Sequence, residues 1–262
     1  MIRNKIRHGW RRYAIMKSRI AICGFGNAGR ELARTIIDDE KYELAFALCS
    51  EHSSKAGKDA GELLGMGDLG VKIYRDSEFS KAIEESPADI MIDFSVTAMS
   101  LTLVKMCALA GVSTVVCTTE HSEESLRQME DAAHQAGVGV VIASNLTIGI
   151  NVLMKYAADL SKTLPEFDIA VQERHRKGKA PITGTAKQIV KATGREDVPI
   201  SCVRAGGYSG LHEVTAASAN ERITIIHESF SRGAFSDGAL AAADYIKDRK
   251  GFYYMSDVVA SR

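Results

Sequence analysis

Glycines at 24, 26 and 29 fall where an apolar run at 20–26, IAICGFG, meets an amphipathic stretch at 28–38. At such a junction G-x-G-x-x-G lets the backbone turn tightly, approach a pyrophosphate and set it on the positive end of a helix dipole. The motif alone also serves ordinary turns. With a strand before it and a helix after it, it commits the chain to a strand–helix–strand unit and points to a dinucleotide held at Gly24, Gly26 and Gly29, with Asn27 and Ala28 opening the helix.

The same alternation continues along the first half. Short apolar runs at 42–50, 89–95, 112–119 and 138–144 are separated by helical spacing at 77–85, 99–110 and 123–136. Most runs are apolar on both faces, as strands covered by helices on two sides must be. The expected result is an α/β fold, a Rossmann-type doubly wound parallel sheet over residues 16–145. Beyond 145 a helix at 150–163 precedes runs of alternating polarity at 167–175, 200–206, 212–219 and 221–229, the last two joined by a turn around Asn220. That pattern predicts a second α+β domain, 146–233, with a mainly antiparallel open sheet and one wet face. An Ala-rich helix at 236–248 and a tail, GFYYMSDVV, whose aromatics must be buried, complete the chain.

Composition narrows the partners. The 33 Lys and Arg are matched by 33 Asp and Glu, so no surplus positive charge is available to displace counterions from nucleic acid. No apolar run reaches the roughly 20 residues that a helix needs to cross a bilayer. The five cysteines are odd in number and lack CxxC spacing; they read as reduced thiols of a cytoplasmic protein. His212 and His227 read as packed or interfacial strand residues, His134 lies on a helix face and His121 near the 117–120 turn. Without cysteines or carboxylates at ligand spacing beside them, no metal site is expected. Residues 1–15 are basic, contain no acid and precede a second methionine at 16; with no signal-type apolar core they read as a disordered extension.

Two segments carry the candidate chemistry. The second run ends in Cys49 and Ser50 without the carboxylate that would bind a ribose 2′-hydroxyl. Ser50 and Lys55 are instead suited to a 2′-phosphate, which favours NADPH while leaving NADH usable; the same loop also reads as merely solvated. The segment QERHRKGKAPITGTAKQIV, 172–190, places His175, Arg176, Lys177 and Lys179 between a strand and a helix opening at Gly184 and Thr185. Four basic groups beside a helix N-terminus suit a substrate bearing carboxylates, and His175 suits a proton donor. The alternative is a solvated basic loop with Thr183 as an N-cap.

Residues 19–262 resemble the dihydrodipicolinate reductase family. The resemblance rests on IAICGFGNAGREL, DIMIDFSVTAMSL, ASNLTIGINVLMKYA, ERHRKGKAPITGTA and, most specifically, VRAGGYSGLHEVTAASANERITIIHESFSRGAFSDGALAAADYI followed by GFYYMSDVV. It implies NAD(P)H-dependent reduction of 4-hydroxy-tetrahydrodipicolinate in lysine and diaminopimelate biosynthesis, in a homotetramer joined through the second sheet, with residues 234–262 returning to the first domain. Carried onto this sequence, it makes His175 and Lys179 catalytic and gives Gly184, Thr185 and Arg176 to a small dicarboxylate substrate. It gives Phe94, Ser95, Thr118, Thr119 and Asn145 to the cofactor. Three departures stand at these positions: Arg176 replaces a second histidine, KAPITGT is one residue shorter than the family's loop and lacks its acid, and Cys117 and Glu120 replace the glycines of a Gly-Thr-Thr-Gly turn, putting side chains where backbone faces the nicotinamide. An ungapped alignment sets Arg174, not His175, at the catalytic position. These departures leave two further readings, a divergent paralogue reducing another small imine or unsaturated acid, and a non-catalytic cofactor-binding regulator.

Overall fold

The computed structural model describes residues 17–262, so the extension read at 1–15 lies outside the described residues. In chain order the elements are β1 (Ser18–Cys23), α1 (Asn27–Asp38), β2 (Tyr42–Cys49), α2 (Ala60–Leu64), β3 (Ile73–Arg75), α3 (Phe79–Glu85), β4 (Ile90–Asp93), α4 (Thr97–Leu109), β5 (Ser113–Val116), α5 (Glu123–Ala136), β6 (Gly139–Ile142), α6 (Ile148–Thr163), β7 (Asp168–His175), α7 (Gly184–Thr193), β8 (Ile200–Arg204), β9 (Leu211–Ala217), β10 (Arg222–Glu228), α8 (Gly233–Ile246), β11 (Gly251–Tyr254) and α9 (Met255–Ala260).

Seven strands make one parallel sheet in the order β11-β6-β5-β4-β1-β2-β3. The winding reverses between β1 and β4, which opens a crevice beyond the C-terminal ends of those strands. Helices cover both faces, and β1 shows why its sequence is apolar throughout. Ile20 and Ile22 join a core with α1 and α8, whereas Ala21 and Cys23 join one with α3 and α4. Each fully buried Ile contributes roughly 1.5–3 kcal/mol over its exposed state.

The remaining strands form a four-stranded sheet, β10-β9-β7-β8. β9 runs antiparallel to both β7 and β10, and the hairpin turn closes with Ser218 N–H donating to the Glu221 carbonyl at 2.9 Å. β8, however, runs parallel to β7. The sheet is therefore mixed, because α7 supplies the crossover that a parallel pair requires. α6 and α7 cover one face with Leu153, Ala157 and Ile189 against Val171 and Val214. The other face carries Val203 and the 58%-exposed Ile226 and has no helix over it among the described residues.

Two segments that show no periodicity are structured. Residues 251–260 are not an irregular tail: β11 runs parallel to β6 at the edge of the large sheet, and α9 follows it. Tyr253 stacks edge-on against Tyr245 of α8 at 5.3 Å between ring centroids. Between β2 and β3 the chain is organised around Asp59. Its carboxylate accepts from Gly61 and Glu62 N–H at the start of α2 and from Leu69 and Val71 N–H at 3.1 and 2.7 Å. Among the described residues no helix is long and apolar enough to cross a membrane.

Asp59→Ala leaves those backbone donors dependent on water, so it is expected to lower the unfolding free energy by about 1–3 kcal/mol, measured by urea unfolding. An unchanged midpoint would show that the loop holds without its carboxylate.

Candidate functional site

The glycine turn sits at the reversal of the sheet. Gly24 has φ +94°, and a Cβ there would collide with the Phe94 carbonyl, because Phe94 N–H reaches the Cys23 carbonyl at 2.7 Å. A Cβ at Gly29 would strike the Gly24 carbonyl, while one at Gly26 would meet open space. The first and third glycines therefore close the turn, and the second leaves room for a ligand against the backbone. Gly26 caps α1, no side chain caps it among the described residues, and its first turn, from Asn27 and Ala28, contains no acid. Free N–H groups at a helix N-terminus with room before them fit a pyrophosphate.

At the ribose end Ser50 is exposed and Lys55 is half-buried. Burial raises the Cys49 thiol pKa while Lys55 and Arg75 pull it down, so both cations flank the end of β2. Arg75 was not legible as a neighbour: it lies 26 residues from Cys49 in the chain and reaches it only because β3 pairs with β2 in that register. Its Nε donates to the Glu51 carbonyl at 3.1 Å.

The turn after β5 rests on buried polar groups. The Asp93 carboxylate, wholly buried, accepts from Ser95 N–H and from Ser100 Oγ at 2.6 Å. Ser100 Oγ lies 2.6 Å from Thr118 Oγ1, which lies 2.9 Å from His121 Nε2. Thr119 holds its carbonyl to Thr97 Oγ1 at 2.8 Å. The two lost glycines have different outcomes. Cys117 packs against the core instead of intruding on the crevice. Glu120 adopts the left-handed φ of +63° that a glycine would occupy more cheaply, with its side chain exposed.

The segment 172–190 forms one wall of a cavity of about 480 Å³, lined among others by Asn145, His175, Arg176, Lys179, Thr185 and Arg232. Strand alternation settles which residue faces it. Ile169, Val171, Glu173 and His175 lie on the covered face of β7, and Arg174 on the other, where it donates to Gln172 Oε1. His175 therefore points into the cleft and Arg174 does not. Thr183 caps α7 by accepting from Ala186 N–H, so the helix does open at Gly184 and Thr185. Asn145, just beyond β6, donates to Thr185 Oγ1 at 3.3 Å and ties the end of the large sheet to the first turn of α7.

Sequence spacing missed the group at the centre of this wall. Glu173 is wholly buried; it accepts from Thr183 Oγ1 at 2.5 Å, Thr183 N–H at 3.1 Å, Cys202 Sγ at 3.2 Å and the Arg204 guanidinium. Burial pushes its carboxyl pKa up, but these donors outweigh burial and hold it at about 2. Arg204 also donates to the Lys179 and Ala180 carbonyls. His212, read as packed, is buried but faces His175, with ring centroids 5.3 Å apart. Burial lowers the pKa of His175 and brings that of His212 to about 4. The shortened loop is closed by Ile182 at φ +54°, a strained conformation for a β-branched residue. A groove between α4 and α5 of equal volume, at Leu109 and Ala132, brings no such convergent polar groups together.

A family model described as "Dihydrodipicolinate reductase, N-terminus" matches residues 18–146, and one described as "Dihydrodipicolinate reductase, C-terminus" matches 149–259. Among curated proteins, 4-hydroxy-tetrahydrodipicolinate reductase of Methanopyrus kandleri is 34% identical over 259 residues, covering 89% of this chain and 93% of the relative. That of Methanothermobacter thermautotrophicus is 32% identical over 256 residues, covering 88% and 93%. The dipicolinate-bound dihydrodipicolinate reductase from Paenisporosarcina sp. TG-14 superposes with a TM-score of 0.80 at 20% identity, over 92% of this chain and 99% of that one. An amine dehydrogenase from Mycobacterium smegmatis follows at 0.70 and 14%, over 94% and 97%. With its glycine turn, its basic loop and both halves of its length matched, the chain belongs to the dihydrodipicolinate reductase family.

Proposed function

We propose that this protein reduces 4-hydroxy-tetrahydrodipicolinate to tetrahydrodipicolinate with NADPH or NADH, in lysine and diaminopimelate biosynthesis. The observation that carries the reading is the pairing of His175 with the N-terminus of α7 in one cleft, tied by Asn145 to the end of β6. On this reading residues 16–145 with 234–262 hold the dinucleotide and 146–233 hold the substrate.

The bound dinucleotide supplies a hydride. This chain's residues do the rest. The N–H groups of Gly184 and Thr185, with Lys179 and Arg176, hold the two ring carboxylates, so that negative charge developing on the ring meets fixed donors. Water leaves first, as hydroxyl from the hydroxylated carbon and a proton from its neighbour, giving the conjugated ring that takes the hydride; His175 then gives its proton to the ring carbon next to the one reduced. The imidazole is held below its ordinary pKa chiefly by burial; a doubly anionic ring beside it restores the protonated form. Gly24, Gly26, Asn27, Ala28 and Gly29 face the pyrophosphate, and Phe94, Ser95, Thr118, Thr119 and Asn145 face the nicotinamide side.

The test is oxidation of NADPH or NADH, followed by absorbance, with freshly generated 4-hydroxy-tetrahydrodipicolinate. His175→Ala is expected to lower kcat by about 100- to 10,000-fold. A wild-type protein that binds a cofactor yet turns over neither would overturn the proposal. Glu120 in its left-handed turn and Arg176 in the cleft favour a second reading, reduction of a related imine or unsaturated acid. A panel in which such a compound outpaces the dipicolinate precursor would select it.

Lys55 and Arg75 at the end of β2 favour NADPH. Lys55→Ala is expected to weaken NADPH by about 1–3 kcal/mol and NADH by much less; equal losses would assign Lys55 to solvent.

The uncovered face of the small sheet supports a homotetramer. Ile226→Asp is expected to shift the mass seen by light scattering from tetramer to smaller species, and a monomeric wild type would exclude the assembly.

A further inference from the structure

Glu173 and His175 are two residues apart on one face of β7, and His212 stands directly opposite Glu173 on β9. One donor atom from each lies within 4.8 Å of the others. Glu173 Oε2 is 3.8 Å from His175 Nε2 and 3.8 Å from His212 Nε2. We propose that these three side chains form a binding site for a divalent transition-metal ion of the zinc class, and that an ion there withdraws His175 from the cleft's chemistry.

Two imidazoles and one carboxylate are a donor set suited to zinc. Tetrahedral ligands at zinc distances stand ~3.4 Å apart, so each Glu173–His pair at 3.8 Å closes by a few tenths of an ångström on binding, with the two imidazoles drawn in from within 4.8 Å. All three residues are buried, and His175 Nε2, His212 Nδ1 and His212 Nε2 have no hydrogen-bond partner among the described residues. Desolvated nitrogens of this kind lose free energy until something occupies their lone pairs. Arg204 holds the far carboxylate oxygen, Oε1, and Thr183 Oγ1 donates to Oε2 itself, orienting the group as the outer partners of metal ligands commonly do. Burial lowers the pKa of both imidazoles, which favours the neutral form that a metal ion needs. The Arg204 charge opposes a dication and keeps the site weaker than a closed structural one. His175 and His212 both line the cavity beside Lys179 and Thr185, the side from which an ion reaches the cluster. The sequence argued against a metal because the third donor comes from another strand.

This inference does not depend on the reductase reading, since its first readout is binding. Full-length protein stripped with EDTA and freed of chelator is titrated with Zn2+ by calorimetry and with Co2+ by visible absorption. One equivalent is expected, with the d–d bands of a low-coordinate nitrogen–oxygen site. His212→Gln and Glu173→Gln are each expected to weaken binding by about 100-fold, while His134→Gln, on an exposed helix face, leaves it unchanged. Thermal unfolding in chelator checks each variant's fold, and His175→Gln serves if either fails to fold. No stoichiometric binding, or binding indifferent to the folded cluster variants, overturns the site. Zinc that fills the site in an active wild type without slowing it, reversibly by EDTA, overturns the consequence for His175.

Discussion

A single buried carboxylate holds the small sheet, α7 and the basic loop together. Taking an ion such as Glu173 out of water costs several kcal/mol, and it is tolerable only because hydroxyl, amide, thiol and guanidinium donors converge on it. The donors come from two features: Thr183 begins α7, while Cys202, beside Glu173 in the β7–β8 register, and Arg204 belong to β8. Arg204 then carries the constraint onward to the carbonyls of Lys179 and Ala180. One charge thus fixes the helix N-terminus, the basic loop and, two residues along the strand, the imidazole.

The second constraint is the pair of helix N-termini set beyond the C-terminal ends of the large sheet's strands. α1 begins at the glycine turn and α7 at the Thr183 cap, and Asn145 links the end of the large sheet to the first turn of α7. Helix dipoles favour anions within their first turn, so each of these N-termini is suited to an anionic group. The Asp93, Ser100 and Thr118 chain holds the turn after β5. With this support behind it, the turn accommodates Cys117 in the core and Glu120 at a left-handed φ.

Much of this was readable. Strand and helix periodicity located the five central strands of the large sheet, the four of the small one and the start of α7, because buried faces impose their period on the residues. β3, three residues long, and α2, five, are too short to show a period. β8 joined its neighbour in parallel because pairing depends on where a crossover helix lands, which no local pattern records. The charge of the basic loop drew attention to His175, Arg176, Lys177 and Lys179, and the helix start to Gly184 and Thr185, while their individual roles came only from the family resemblance. Glu173 announced nothing, since a lone acid in a strand normally reads as a solvated position.

By itself, the sequence determined the glycine turn, the layered fold and the kind of charge gathered before α7, since these follow from residue type and spacing. Tertiary structure decided that His175 and not Arg174 enters the cleft, that Arg75 joins Lys55, and that Glu173 and His212 meet. Those outcomes depend on register between strands distant in the chain, and a one-residue shift in register exchanges the faces of a strand.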